Sequence, residues 1–305
     1  MAGTVLVLGA SGLFGSRVAQ AFGAAGWDVR RYVRGADMVL AAQGADVIVN
    51  GLNPPMYHDW ARLIPQITRQ VIAAGLASGA TVLLPGNVYV YGDQPGPWGP
   101  KVPHRPVARK GHIRAAMEAS YQAATAQGLR VIVLRGGDFL DEAGKTTAMH
   151  LFHLRSLKAG KLTLGGAADV QRAYAYLPDM ARAAVALAEQ RAALPAFADI
   201  PFAGLTFSMA DLGGVLKPLL GRRLKMVQFP WWVMRLLGPF WEMAREMSEM
   251  RYLYETPHAL DPAPLQALLP DLTITSLPTV MAAHLRVLGL NRSGQGDIHP
   301  DRAVA

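Results

Sequence analysis

Seven residues near the N-terminus, Gly9, Ala10, Ser11, Gly12, Leu13, Phe14 and Gly15, stand between a short apolar run and an amphipathic segment. The run, Thr4 to Leu8, reads as a strand buried on both faces of a parallel sheet. After it Leu13, Phe14, Val18 and Phe22 recur at helical spacing, with Gly26 closing the unit. In that context Gly9 permits a tight turn, and Gly12 lets backbone N–H groups approach a pyrophosphate at the helix N-terminus. Gly15 allows helix and sheet to pack closely, and Ser11 is suited to cap the helix. Gly9, Ser11, Gly12, Leu13, Phe14 and Gly15 are therefore candidate cofactor contacts, a plain turn being the alternative. The glycines are spaced three and three, against two and three in the ordinary dinucleotide fingerprint.

Cofactor choice turns on the end of the second strand, Trp27 to Val33. No acidic residue lies between Val29 and Ala36 to bind the ribose hydroxyls of NAD. Arg31 and Arg34 stand there instead, and guanidinium groups suit the 2′-phosphate of NADP. NADP is the expected cofactor and NAD the alternative; two solvated surface arginines would explain the same residues.

The elements that must position these groups alternate. Asp46 to Val49, Thr81 to Leu84 and Arg130 to Leu134 read as further strands. Trp60, Ile64, Ile67, Val71 and Ala74 stripe a helix bent at Pro65, and Ala108 to Gln127 forms another. This pattern predicts a Rossmann-type, doubly wound parallel sheet with its ligand beyond the carboxyl ends of the strands. The 12 residues between Arg34 and Val47 are too few for a full helix, strand and turn, so that region is abbreviated. Beyond Leu134 helices are expected at Met149–Ala159, Met180–Gln190, from a capping box at Ser208 and Asp211 to Gly221, and in the Met- and Trp-rich stretch Pro230–Tyr254. Residues 1–145 thus form the dinucleotide-binding domain, with segments at about 167–200 returning to it. Residues 146–305 form mainly a smaller, mostly helical substrate lobe and a tail.

Composition narrows the function. With 51% hydrophobic and 17% charged residues, the 305-residue chain is too apolar for disorder and too often interrupted for a membrane span. It has no cysteine, which excludes a disulfide framework, a thiolate nucleophile and a zinc–thiolate site. The N-terminus has no basic region ahead of its apolar run, so no export signal is read and a cytoplasmic location is expected. The net charge of +8 would attract nucleic acid, acidic lipid or a phosphorylated small molecule. Without zinc-finger spacing or an aromatic RNA-binding signature, the expected partner is a small-molecule substrate rather than nucleic acid. His150 and His153 lack a third ligand at matching spacing, so no metal is expected.

The Gly9 motif, the stretch Gly86, Asn87, Val88, Tyr89, Val90, Tyr91, Gly92, the strand ending in Arg135, the helix start at Tyr176 to Asp179 and the Glu249–Tyr254 region together resemble the extended short-chain dehydrogenase/reductase family, also called the NAD-dependent epimerase/dehydratase family. The resemblance implies a Rossmann domain binding NAD or NADP and a C-terminal substrate lobe. It places Leu52, Asn53, Gly86 and Gly137 in loops at the cofactor, and it suggests a homodimer through the helices at 59–76 and 108–127. The family's catalytic set is a Ser or Thr, a Tyr and a Lys; here Asn87, Lys110 and Arg114 stand at those positions. In one reading Lys110 donates the proton, its pKa depressed by Arg114, while Asn87 orients a substrate oxygen and NADPH delivers hydride. The protein is then an NADP-dependent oxidoreductase or isomerase of a small, apolar carbonyl or enone. In another it is a non-catalytic NADP sensor or assembly protein, and in a third a nucleotide-sugar epimerase or dehydratase. Tyr89 and Tyr91 read as packing residues, with Tyr89 able to face the pocket. Trp231, Trp232, Leu236, Leu237, Phe240 and Trp241 would line an apolar pocket, touch a membrane surface or, more plainly, pack the second lobe.

Overall fold

The computed structural model describes residues 3–143 and 147–290. The first half alternates as its apolar pattern requires: β1 (Thr4–Leu8), α1 (Leu13–Ala24), β2 (Asp28–Arg31), a single turn α2 (Met38–Ala41), β3 (Val47–Asn50), α3 (Trp60–Ser78), β4 (Thr81–Gly86), α4 (Arg109–Ala124) and β5 (Val131–Arg135). The abbreviation after Arg34 is that one turn, after which the chain enters β3. The second half runs β6 (Asp138–Leu140), β7 (Lys161–Leu164), β8 (Arg172–Tyr176), α5 (Leu177–Glu189), β9 (Phe197–Pro201), β10 (Leu205–Phe207), α6 (Met209–Leu220), β11 (Lys225–Gln228), α7 (Trp231–Leu237), α8 (Glu242–Glu249), α9 (Ala263–Leu268) and α10 (Leu277–Val287).

Six strands form one parallel sheet in the order β2-β1-β3-β4-β5-β9. The two-residue period of a strand decides its two cores. Val5, Val7, Val47, Val49, Ile132 and Leu134 face α1 and α5, whereas Leu6, Leu8, Ile48, Val82, Leu84 and Val133 face α3 and α4. Helices on both faces make the sheet doubly wound, and its carboxyl ends open toward the lobe.

The lobe differs in detail from the sequence expectation. Met149–Ala159 holds only a π-helical turn, Met149–His153, followed by turns. Pro230–Tyr254 is divided into α7, α8 and a 3-10 turn at Arg251–Tyr254, because Gly238 and Pro239 break the helical ladder. The capping box at Ser208 is present and α6 ends on Gly221 in the left-handed region. Short strands that periodicity does not reveal add a β10-β8-β6 sheet and a β11-β7 pair. No helix among the described residues is long and apolar enough to cross a membrane.

Candidate active site

At the carboxyl end of β1 the chain turns at Gly9 (φ 74°), whose carbonyl accepts the Gly12 N–H at 2.9 Å. A Cβ at Gly15 would press on the Gly9 carbonyl, so only glycine lets α1 start this close to the strand. Ser11 does not cap the helix as its type suggested. The N-cap is Gly12, no side chain accepts from the first turn, and Ser11 is exposed. The first-turn N–H groups of α1 are consequently left without a side-chain acceptor, which is the arrangement that receives a phosphate. Leu13 is half-buried, while the Phe14 side chain is turned into the core, so Phe14 offers this loop only its backbone.

Arg31 ends β2 and Arg34 lies three residues on, both exposed and without an ion pair among the described residues. The nearest carboxylates are committed elsewhere. Asp28, at the opposite end of β2, holds Arg30 at 3.2 Å, and Asp37 accepts from the backbone N–H groups of Val39 (2.8 Å) and Leu40 (3.1 Å) to cap α2. The end of β2 therefore presents two exposed guanidinium groups, while Asp37 turns one oxygen to the start of α2.

The loop after β3 is held open beside this. Buried Asn50 donates to the Tyr121 hydroxyl at 3.0 Å and accepts the Leu52 N–H at 3.2 Å. Asn53 accepts from Arg114 Nη2 at 2.7 Å, and the Arg114 guanidinium lies 4.8 Å over the Trp60 ring. Burial lowers the Arg114 pKa, and its Nε has no hydrogen-bond partner. Just beyond, Met56 (φ 54°), Tyr57 (φ 61°) and Asp59 (φ 45°) all occupy the left-handed region. Each such non-glycine residue costs about 1–3 kcal/mol, so this loop is held by its surroundings. Tyr57 is packed against Trp60, with the Lys110 ammonium 4.9 Å from its ring centre, and its phenol lies near that of Tyr89. Burial raises both phenols, Tyr89 well above the usual range, and Asp138 adds to the shift while Arg114 opposes it.

After β4, Gly86 is pressed against Val133 and Asn87 turns back to accept the Tyr89 N–H at 3.1 Å. The Asn87 carbonyl accepts from Arg135, which is fully buried and gripped by Glu118 and Asp199, each 2.8 Å from Nη2. His104, Glu118 and Asp199 bring three potential metal-ligand atoms together, but that guanidinium already supplies the cation between the carboxylates. Gly137 leaves room for the backbone of Ala173 in β8 rather than for a ligand, since a Cβ there would strike the Ala173 carbonyl.

Lys110 does not face the opening. It is fully buried, and its three N–H donors meet Glu246 Oε2 (2.6 Å), Glu249 Oε2 (2.8 Å) and the Glu246 carbonyl (2.9 Å). Arg109 adds a further ion pair to Glu246. The cluster clamps α4 to α8 and leaves no ammonium proton for a substrate; an ion pair so placed acts through structure.

Sequence reasoning missed Tyr57 and Arg172, and it placed Asp138 in the loop after β5 without giving it a partner. Asp138 opens β6 and holds Arg172 at 2.6 Å; Arg172 is 5% exposed, its guanidinium 4.1 Å over the Tyr254 ring and its Nε unpartnered. His153 lies against Tyr254 and donates its Nδ1–H to the Thr163 carbonyl (2.8 Å), while burial pushes its pKa down to about 4. The only sequence signal for Tyr57 was its place four residues after Asn53 in a proline-bounded loop. Trp231 packs inward with Phe152 and Phe229, whereas Trp232, Leu236, Phe240 and Trp241 are exposed.

Comparison with known proteins agrees with this geometry. No curated protein matches the chain significantly in sequence. Among solved structures, MoeE5 in complex with UDP-glucose and NAD aligns with a TM-score of 0.73 at 18% identity, over 94% of this chain and 99% of that one. UDP-glucuronic acid 4-epimerase from Bacillus cereus, in complex with NAD, aligns at 0.74 and 16% identity, over 93% and 96%. A nucleoside-diphosphate-sugar epimerase from Pseudomonas aeruginosa aligns at 0.69 and 19% identity, over 95% and 99%. At such identities these likenesses establish the fold. Residues 5–200 match the profile of the NAD dependent epimerase/dehydratase family. A glycine loop closed on an uncapped helix at the carboxyl end of a strand inside a doubly wound sheet is thus joined to a match over most of the chain, and the protein belongs to the NAD-dependent epimerase/dehydratase family.

Proposed function

We propose that the protein is a hydride-transferring enzyme that prefers NADP(H) and acts on a carbonyl or enone compound. The observation that carries the cofactor preference is the end of β2, where Arg31 and Arg34 are exposed and have no ion pair among the described residues. The α1 N-terminus would receive the pyrophosphate, and Leu52 and Asn53 would contact the nicotinamide end. A bound nicotinamide dinucleotide supplies the hydride for the carbonyl carbon. The proton for the carbonyl oxygen comes from the Tyr57–Tyr89 phenol pair rather than from Lys110, whose donors are all used. Burial keeps those phenols protonated, and Arg114 beside them stabilises the phenolate left behind. Asn87 orients the substrate oxygen.

Titration with NADPH and NADH, followed by nicotinamide fluorescence, tests the cofactor. NADPH is expected to bind tighter, and Arg34→Ala to lose about tenfold or more of that affinity as one charged hydrogen-bonding partner is removed. Equal binding of both cofactors would overturn the preference. Tyr89→Phe is expected to keep NADPH affinity and lower carbonyl turnover by about 10²–10⁴-fold. A second reading, a nucleotide-sugar substrate, is favoured by the buried Arg172 Nε without a partner, a ready donor for an anionic or hydroxyl oxygen. Turnover of UDP-sugars but not of a carbonyl panel would select it, and NADPH binding without turnover of either would point to a sensor.

A further inference from the structure

The α7–α8 projection carries a feature that neither the fold nor the cofactor requires. Trp231 anchors its base, 8% exposed, with the indole N–H donating to the Gly165 carbonyl at 2.7 Å. On the outward side Trp232 is 70% exposed, Leu236 68% and Phe240 91%, with Trp241 alongside at 45%. Trp232 and Leu236 are four apart and share a helix face, and Phe240 extends it past the Gly238–Pro239 turn. Scattered exposed apolar residues are ordinary, but this many large ones together mark a surface that docks. Among the described residues none covers these side chains. Residues 291–305, outside the described ones, contain only Ile298 and Val304 as large aliphatic side chains.

Charge identifies the occupant. From 222 to 245 the chain carries Arg222, Arg223, Lys225, Arg235 and Arg245 against one carboxylate, Glu242, which faces His58 at 3.1 Å. Arg235 and Arg245 are exposed and line the concavity at Gly238 and Pro239, immediately beside the aromatic tip. A second copy docked symmetrically through the same patch would bring these like charges together. Two tryptophans and a phenylalanine at a tip, with arginines at its rim, suit the headgroup region of a bilayer: aromatic rings enter the interface while guanidinium groups reach anionic phosphates. We infer that the Trp232–Leu236–Phe240–Trp241 tip docks the protein peripherally on an anionic lipid surface, without spanning it. This inference is independent of the cofactor and of the reaction. The His58–Glu242 contact joins the tip to the strained loop that bears Tyr57, so docking would hold that loop next to the bilayer.

Flotation of the full-length protein with vesicles tests it, comparing phosphatidylcholine alone with phosphatidylcholine mixed with phosphatidylserine. The expected result is flotation with the acidic vesicles only, weakening as salt is added. Phe240→Ser and Leu236→Ser should each reduce partitioning by about tenfold, from the loss of one buried apolar side chain. Arg235→Glu, whose side chain makes no ion pair among the described residues, should weaken it strongly. All variants should melt at the wild-type temperature, because the altered side chains are solvent-exposed. No flotation with either vesicle, or equal flotation with both, would overturn the inference. So would a wild-type dimer by light scattering that Phe240→Ser converts to monomer without any vesicle binding, since the tip would then be an interface between copies.

Discussion

Lys110 shows how a residue type can be read correctly as significant and still be given the wrong neighbours. Its position on α4 was visible in the sequence, but Glu246 and Glu249 lie 136 and 139 residues away and come to it only through the fold. A single sequence carries no signal for that pairing. Removing one partner of a buried ion pair strands the other, so Lys110→Met should lower unfolding free energy by about 3–5 kcal/mol in urea denaturation. Replacing Glu249 by Gln in the same chain should return part of that loss, because Lys110 is its only ion-pair partner among the described residues and Glu246 still has Arg109. If Lys110→Met were as stable as wild type while carbonyl turnover vanished, the clamp assignment would fail and the proton-donor role would return. The tyrosine pair was half legible. Tyr89 could be placed near the pocket, but Tyr57 reaches it through three left-handed residues that no propensity foretells.

Among the elements, α1 was the most legible because its function and its packing impose the same glycines. Gly15 is needed where the helix meets the Gly9 carbonyl, whereas Gly23 lies on the same helix with only Val29 Cγ2 near, 3.9 Å from an added Cβ. Gly15→Ala should destabilise the protein by about 1–3 kcal/mol and abolish NADPH binding. Gly23→Ala should instead stabilise by up to about 1 kcal/mol from helix propensity and leave binding intact. Thermal melts and a fluorescence titration on the pair separate the loop's role from general helix stability. The cap went the other way from the sequence reading. Ser11 has the right chemistry for an N-cap, yet Gly12 takes that place and the helix end is left for a ligand. In the lobe, β6, β7, β10 and β11 are three or four residues long and draw their stability from neighbours distant in the chain, so no periodicity announces them.

For the molecule as a whole, the buried histidines set a pH dependence. His153 and His258 are each pushed down to about 4, in both cases chiefly by burial, against an ordinary value of 6.5. Their folded forms are neutral, so the unfolded chain binds protons first as pH falls. Stability is therefore full above about 6.5, declines toward about 4, and loses at most about 3 kcal/mol per histidine. Urea midpoints measured across that window should fall steadily, and His258→Gln, which cannot protonate there, should flatten the curve. A midpoint unchanged between the two pH values would contradict the burial of both rings. The amino-acid sequence by itself determined the doubly wound sheet and the nucleotide loop, since strand and helix periods and a few obligatory glycines are local properties. The arginines at the end of β2 were local in the same way. Only the tertiary structure decided what Lys110 touches, that Tyr57 joins Tyr89 and Arg114, and which half of the Trp-rich stretch is buried. Those outcomes depend on contacts between segments far apart in the chain, which no local pattern encodes.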